Sequence, residues 1–144
     1  MNVVYRDDAS FSVDAMIDLY NRSTLGERRP VHRPDLFQKM IEHSNLIITA
    51  WCGDLLVGIA RSLTDFGYVA YLADLAVDSK YQRMGIGKQL IAKTQARLGP
   101  ECKIVLLAAP AANDYYRKLG FEHNPRAWML SGGERVDQTG GDQG

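Results

Sequence analysis

The residues best suited to chemistry lie between Val77 and Lys88, in Val-Asp-Ser-Lys-Tyr-Gln-Arg-Met-Gly-Ile-Gly-Lys. A strand-like run enters a loop, passes Gly85 and Gly87, and continues into a helix-like pattern. Glycine lets main-chain N–H groups approach a ligand closely and tolerates a positive φ. A helix starting behind such a turn adds unpaired donors and about half a positive charge. Arg83 and Lys88 place cations beside it. This is the chemistry of an anion site, and a pyrophosphate suits it. A glycine turn serving only tight strand-to-helix packing is the competing explanation. Neither common phosphate fingerprint fits. The third glycine of GxGxxG would fall at Leu90, no acidic residue follows about 20 residues on at a strand end, and no GxxxxGK[ST] occurs.

Asp74 is the second candidate, a charge inside the otherwise apolar run Tyr71-Leu72-Ala73-Asp74-Leu75-Ala76-Val77. A buried strand carboxylate needs a partner. A hydrogen bond to the first helices meets that need, and so does a catalytic role. Cys52 and Cys102 lack a CxxC pattern or a neighbouring His, which argues against a disulfide framework or a zinc site and predicts small buried side chains. No metal is expected.

The elements that must position these groups follow from periodicity. Val3–Arg6 reads as a short strand. Val13, Met16, Ile17 and Tyr20 fall on one helix face, with Ser12 placed to cap it. Asn21–Pro34 loses the pattern and gathers Arg28, Arg29, His32 and Arg33 among Gly and Pro, an irregular loop. Those arginines read first as a solvated loop and second as a site for an acidic acceptor. Leu36, Phe37, Met40 and Ile41 mark a second helix. Leu46–Cys52 and Leu55–Leu63 are strands joined by a Gly53-Asp54 turn, and Tyr68–Val77 completes an antiparallel meander. A helix through Ile86, Leu90, Ile91 and Leu98 stops at Gly99-Pro100. Lys103–Ala109 reads as a strand covered on both faces, Asn113–Leu119 as a short helix ended by Gly120, and Phe121–Leu130 has room for one or two closing strands. His123 is expected on the surface of such a strand. Residues 131–144 form a polar, Gly-rich tail, so the folded domain is expected over residues 1–130. The order is an α/β (α+β) plan with one parallel step, which places the crossover helix with its N-terminus at the carboxyl ends of the strands, where open sheets bind ligands.

Composition narrows the partners. The 144 residues carry 17 Lys plus Arg against 17 Asp plus Glu, so no global field recruits nucleic acid or an anionic membrane. Apolar runs such as Leu46–Ala50 are too short to cross a bilayer. The N-terminus shows no basic region followed by an apolar stretch, and a cytoplasmic protein is expected.

Gln82-Arg83-Met84-Gly85-Ile86-Gly87 resembles the [Q/R]-x-x-G-x-[G/A] signature of the GNAT superfamily of N-acetyltransferases. Leu75-Ala76-Val77 resembles that family's central strand, and Tyr115-Tyr116-Arg117-Lys118-Leu119-Gly120-Phe121 resembles its second hallmark, a Tyr on a short helix running into Gly-Phe. The resemblance extends to Leu130. It implies a single GNAT-like domain with a mixed, splayed sheet and helices on both faces, using acetyl-CoA as co-substrate. Backbone groups of Leu75 and Val77 would hold the pantetheine arm, and Gln82, Arg83, Met84, Gly85, Ile86, Gly87 and Lys88 the pyrophosphate. Many members carry an Asn seven residues before the hallmark Tyr. Here that position is Ala109, and Asn113 is the stand-in. The implied reaction is direct attack of an amine on the thioester. A strand N–H serves the oxyanion, Tyr116 protonates the departing thiolate and Asp74 is the candidate base. Tyr115 is expected in the core. A small-molecule amine is the expected acceptor, and a homodimer is compatible with this reading. Two alternatives remain: a non-catalytic acetyl-CoA-binding sensor or interaction domain of the same fold, and an arylamine-type transferase with a cysteine nucleophile, which neither Cys52 nor Cys102 has the context to serve.

Overall fold

The computed structural model describes residues 2–140, and two compact units divide the chain at Leu107/Ala108. In the first unit, β1 (Val4–Arg6), β2 (Leu46–Cys52), β3 (Leu55–Thr64), β4 (Val69–Val77) and β5 (Lys103–Val105) form one sheet in sequence order. The first three pairings are antiparallel and the β4–β5 pairing is parallel. Helices α1 (Val13–Arg22) and α2 (Pro34–His43) precede β2, and α3 (Ile86–Ala96) makes the crossover between β4 and β5. Ser12 caps α1, accepting the Ala15 N–H at 3.0 Å.

Burial follows the amphipathic stripes. Met16, Leu19 and Tyr20 of α1 and Phe37 of α2 are fully buried and cluster with Leu56, Ile59 and Ala76 of the sheet. Tyr20 and Phe37 meet edge to face, with ring centroids 5.3 Å apart. The opposite face receives α3. A Cβ on Gly58 would stand 3.0 Å from Leu90 Cδ1 and 3.1 Å from Ile86 Cγ2, so glycine there sets how closely α3 lies on β3.

The central event in the sheet is a bulge in β4. Pairing runs Thr64↔Ala70, Leu63↔Tyr71, Ser62↔Leu72 and then Arg61↔Asp74, leaving Ala73 as the extra residue. Without that shift Arg61 would face Ala73. With it, Arg61 and Asp74 share a face. A bulge bends its strand and ends regular pairing, and β5 accordingly stops early. It pairs only Val69, Ala70 and Tyr71 with Lys103, Ile104 and Val105. The strand expected over Lys103–Ala109 is therefore short, and Lys103 and Val105 are exposed rather than covered.

The second unit holds one helical turn (Pro110–Ala112) and α4 (Asn113–Lys118), ended by Gly120 at φ +99°. Tyr116 packs edge to face on Tyr115 and Phe121. No strand forms among residues 121–130, against expectation. The Asn124 side chain instead accepts the Arg126 N–H at 2.9 Å, a local turn that competes with a ladder. Trp128 is 95% exposed, and His123 is exposed outside any strand. Residues 131–140 form turns with exposed side chains. The last four tail residues lie outside the described residues.

Candidate active site

The turn after β4 is built to leave donors unused. The chain is left-handed at Arg83 (φ +66°) and Gly85 (φ +79°), and Gly85 opens α3 without a side-chain cap. A positive φ at a non-glycine residue such as Arg83 is uncommon and raises a functional question. The first helical bond is Gln89 N–H to Gly85 C=O, at 3.0 Å. Among the described residues, the N–H groups of Ile86, Gly87 and Lys88 have no acceptor. These are the orphan donors every helix start carries. A Cβ at Gly85 would meet no atom within 4 Å, so the space over the turn is open. Arg83, Met84 and Lys88 are exposed around it, and Gln82 Nε2 donates to Val77 C=O at 3.3 Å.

The edge of β4 is likewise unsatisfied. Beyond Tyr71 no β5 residue pairs with it. Asp78 N–H donates to Val57 C=O of β3 at 2.9 Å. Peptide directions alternate along a strand, so the groups of Leu75 and Val77 point away from β3, toward the open edge. One end of the first unit thus carries strand peptide groups without a strand partner, the Val77 C=O taken only by Gln82 Nε2, leading into a cradle of free helix N–H groups. A ligand with an amide-bearing arm and a pyrophosphate matches both.

Asp74 presents the opposite condition. Its side chain has no exposure. Oδ2 accepts from Tyr20 OH and Arg61 Nε, both at 2.6 Å, and Oδ1 accepts from Arg29 Nε at 2.6 Å. Arg61 Nη1 donates further to Ser44 Oγ at 3.0 Å, and Arg29 Nη2 to Ala73 C=O at 2.9 Å. Burial pushes the Asp74 carboxyl up, but the charge and hydrogen bond of Arg61, the hydrogen bond of Tyr20 and the charge of Arg29 outweigh it. The carboxyl is held below the usual carboxylate range. Tyr20 moves the other way, raised well above an ordinary phenol by burial first and by the Asp74 anion next. In sequence Arg29 falls in what reads first as a solvated loop, and neither Arg61 nor Tyr20 stands out as a partner. The available signal was a lone Arg in one apolar strand and a lone Asp in the next. Arg33 pairs instead with Asp35 on the surface. A second tie, Arg22 to Asp78 and to Leu56 C=O (3.0 Å), fixes the end of α1 where β4 exits.

In the second unit Tyr116 is half-buried, and its hydroxyl has no partner among the described residues. Burial, and then Tyr115 beside it, raise its pKa. Tyr115 is 40% exposed rather than in the core, Asn113 is exposed at the start of α4, and Ala109 precedes the helical turn. Cys52 and Cys102 are free thiols of intermediate exposure, not buried. Among the described residues no three His, Cys, Asp or Glu side chains converge on a metal position, and no helix is long and apolar enough to cross a membrane.

A mixed open sheet whose parallel pairing ends early, beside a crossover helix with a free N-terminus, is the arrangement expected of the family that the sequence resembles. The family model described as acetyltransferase (GNAT) domain matches residues 20–127, well over half of the 144. The chain belongs to the GNAT family of acetyltransferases. It is 30% identical over 129 residues to the uncharacterized N-acetyltransferase ycf52 of Porphyra purpurea, covering 82% of this chain and 72% of that one. It is 39% identical over 75 residues to histone acetyltransferase TAP1 of Glycine max, covering 49% of this chain but only 31% of the soybean protein. A GNAT family acetyltransferase of Streptococcus pneumoniae, SP0256, shares the fold at TM-score 0.72 and 22% identity, over 90% of this chain and 98% of that one. Aminoglycoside N-acetyltransferase AAC(6')-Iy, solved in complex with CoA, does so at TM-score 0.69 and 17% identity, over 90% and 94%.

Proposed function

We propose that this GNAT acetyltransferase moves the acetyl group of acetyl-CoA to a primary amine of a small molecule by direct attack of that amine. The observation that carries the reading is the continuity of unsatisfied main chain from the β4 edge into the start of α3. Leu75 and Val77 hold the pantetheine arm as an added strand would. Gln82 to Lys88 take the pyrophosphate, mainly through N–H groups, with Arg83 and Lys88 adding charge. Asn113 is assigned the contact that many relatives make from the position of Ala109. The functional domain is taken as residues 1–130, because the hallmark Tyr lies beyond the first compact unit and the family match runs to residue 127.

Acetyl-CoA supplies the activated thioester carbonyl, and the protein supplies the rest. A strand N–H at the open edge stabilises the developing oxyanion. Tyr116 donates its phenolic proton to the departing sulfur; burial raises its pKa, so it holds the proton until a thiolate develops beside it. Asp74 is the candidate base from sequence, and its geometry favours another role. A carboxylate held as an anion by two guanidinium groups, with both oxygens engaged, is poorly disposed to take a proton. We assign it to anchoring the loop, and assign the amine proton to water.

The small acceptor is supported by the aminoglycoside enzyme among the structural neighbours. A protein acceptor is the second reading, favoured by the name of the soybean relative. Thiol release from acetyl-CoA with polyamines, arylalkylamines, aminoglycosides, amino acids and a histone-tail peptide separates the two. Turnover with a small amine and none with the peptide is expected. Turnover with the peptide alone moves the acceptor to a protein, and no release with any amine sinks the catalytic reading.

A further inference from the structure

Arg29 ties the loop between α1 and α2 to the β4 bulge, just beyond the last residue that pairs with β5. All three of its guanidinium nitrogens are engaged: Nε with Asp74 Oδ1 at 2.6 Å, Nη2 with Ala73 C=O at 2.9 Å and Nη1 with Arg28 C=O at 2.9 Å. Ala73 is the bulged residue, with no partner in β3. Pairing to β5 ends at Tyr71, two positions earlier, and the edge carrying Leu75 and Val77 begins just beyond. One side chain therefore joins the loop, the bulge and the proposed cofactor edge. Charge compensation is not what Arg29 uniquely adds, because Arg61 already pairs with Asp74 from β3. Its planar fork holds a carboxylate and a carbonyl in fixed directions, whereas a lysine offers one flexible point charge.

We infer that Arg29 is a positioning residue for acetyl transfer. Seating the loop on Ala73 fixes the bulge, and with it the direction in which Leu75 and Val77 present their peptide groups. The inference rests on the proposed site at the β4 edge. It makes loop closure and CoA binding linked events, and such linkage is reciprocal. CoA should slow the opening of residues 24–33, and loss of the Arg29 contact should disorder the geometry needed for reaction. Displacements of about 1 Å in a reacting geometry cost on the order of 10²-fold in rate.

The test uses the full chain and two readouts, amide hydrogen exchange of residues 24–33 with and without CoA, and steady-state kinetics with acetyl-CoA. In the wild type CoA should protect the loop. In Arg29→Gln that protection should vanish and kcat should fall on the order of 10²-fold. Melting should stay cooperative, since Tyr20 and Arg61 still hold Asp74. Arg29→Lys keeps the charge without the fork and should behave as Arg29→Gln does. It also serves in its place if the glutamine variant is poorly folded. Arg33→Gln, which breaks only a surface pair, is the control. Wild-type kcat and retained CoA-dependent protection in either Arg29 variant overturn the inference. CoA binding to the wild type without loop protection overturns it alone, and absence of CoA binding removes the proposed site along with it.

Discussion

Tyr20 and Tyr116 are both raised in pKa by burial first, and they end in opposite conditions. Tyr20, on α1, is fully buried and donates to Asp74 at 2.6 Å, inside a network in which both carboxylate oxygens are taken. Tyr116, on α4, has rings on both sides, and its hydroxyl has no partner among the described residues. The same contrast separates Asp74 from the turn at Gly85: one is saturated, the other has donors to spare. Saturated polar groups hold a structure together, because each already has its counterpart. Unsaturated groups at a surface are the ones left to meet a ligand. In sequence the lone charge of Asp74 in an apolar strand is open to a catalytic role or to a hydrogen bond with the first helices, and its contacts with Tyr20 and Arg29 are of the second kind.

The sharpest way to break this comparison is to delete the free hydroxyl. Tyr116→Phe keeps both ring contacts and loses no hydrogen bond within the described residues, so melting should hardly change. If the phenol protonates the leaving sulfur, kcat should drop about 10²–10⁴-fold with acetyl-CoA affinity unchanged. The loss should shrink for a thioester with a more acidic thiol. Wild-type kcat in this variant returns Tyr116 to packing alone.

Asp74→Asn probes the saturated side, with stability as its readout. Removing the anion leaves Arg61 in a buried position with a neutral partner, at a cost of about 3 kcal/mol. The pH dependence has a definite sign. A carboxyl whose folded pKa is depressed contributes stability that is fully present above its unfolded value of about 4, and loses it as pH falls through the lower folded value. The gap between wild type and variant should therefore be constant through neutral pH and close in acid. A variant as stable as wild type at pH 7, missing only the acidic limb of its rate profile, would restore Asp74 as the base.

The fold was largely legible because periodicity and turn residues are local. The stripe of α1, the Gly53-Asp54 hairpin and the Gly85-x-Gly87 turn all announce themselves within a few residues. Arg29 and Arg61 did not, because their roles depend on a bulge that shifts β4 by one residue against β3. Periodicity carries no mark of which residue is extra. An unshifted register would have set Arg61 opposite Ala73 and left Asp74 without that strand partner. The apolar run after Lys103 misled for a related reason. Composition predicts a strand to Ala109, but pairing with β4 ends at Val105, two residues before the β4 bulge on the partner strand.

The smallest expected effect offers the cleanest control, because Gly85 and Gly53 hold similar left-handed backbone conformations. Gly85 has φ +79° and Gly53 has φ +60°, and a Cβ at either would meet no atom within 4 Å. Alanine at each position pays the same left-handed backbone penalty, about 1–2 kcal/mol, and clashes with nothing in the protein. Both variants should fold and melt slightly earlier, by similar amounts. They differ only in what lies outside the chain. Gly53 turns the β2–β3 hairpin, whereas Gly85 opens α3 beside the free N–H groups of Ile86, Gly87 and Lys88. If a pyrophosphate must approach that backbone, Gly85→Ala should weaken acetyl-CoA binding by about tenfold, a difference of about 1.4 kcal/mol in calorimetry. Gly53→Ala should leave it unchanged. Equal affinities in the two variants would mean that the open space over Gly85 is not where the anion sits, and the turn would be a packing device after all.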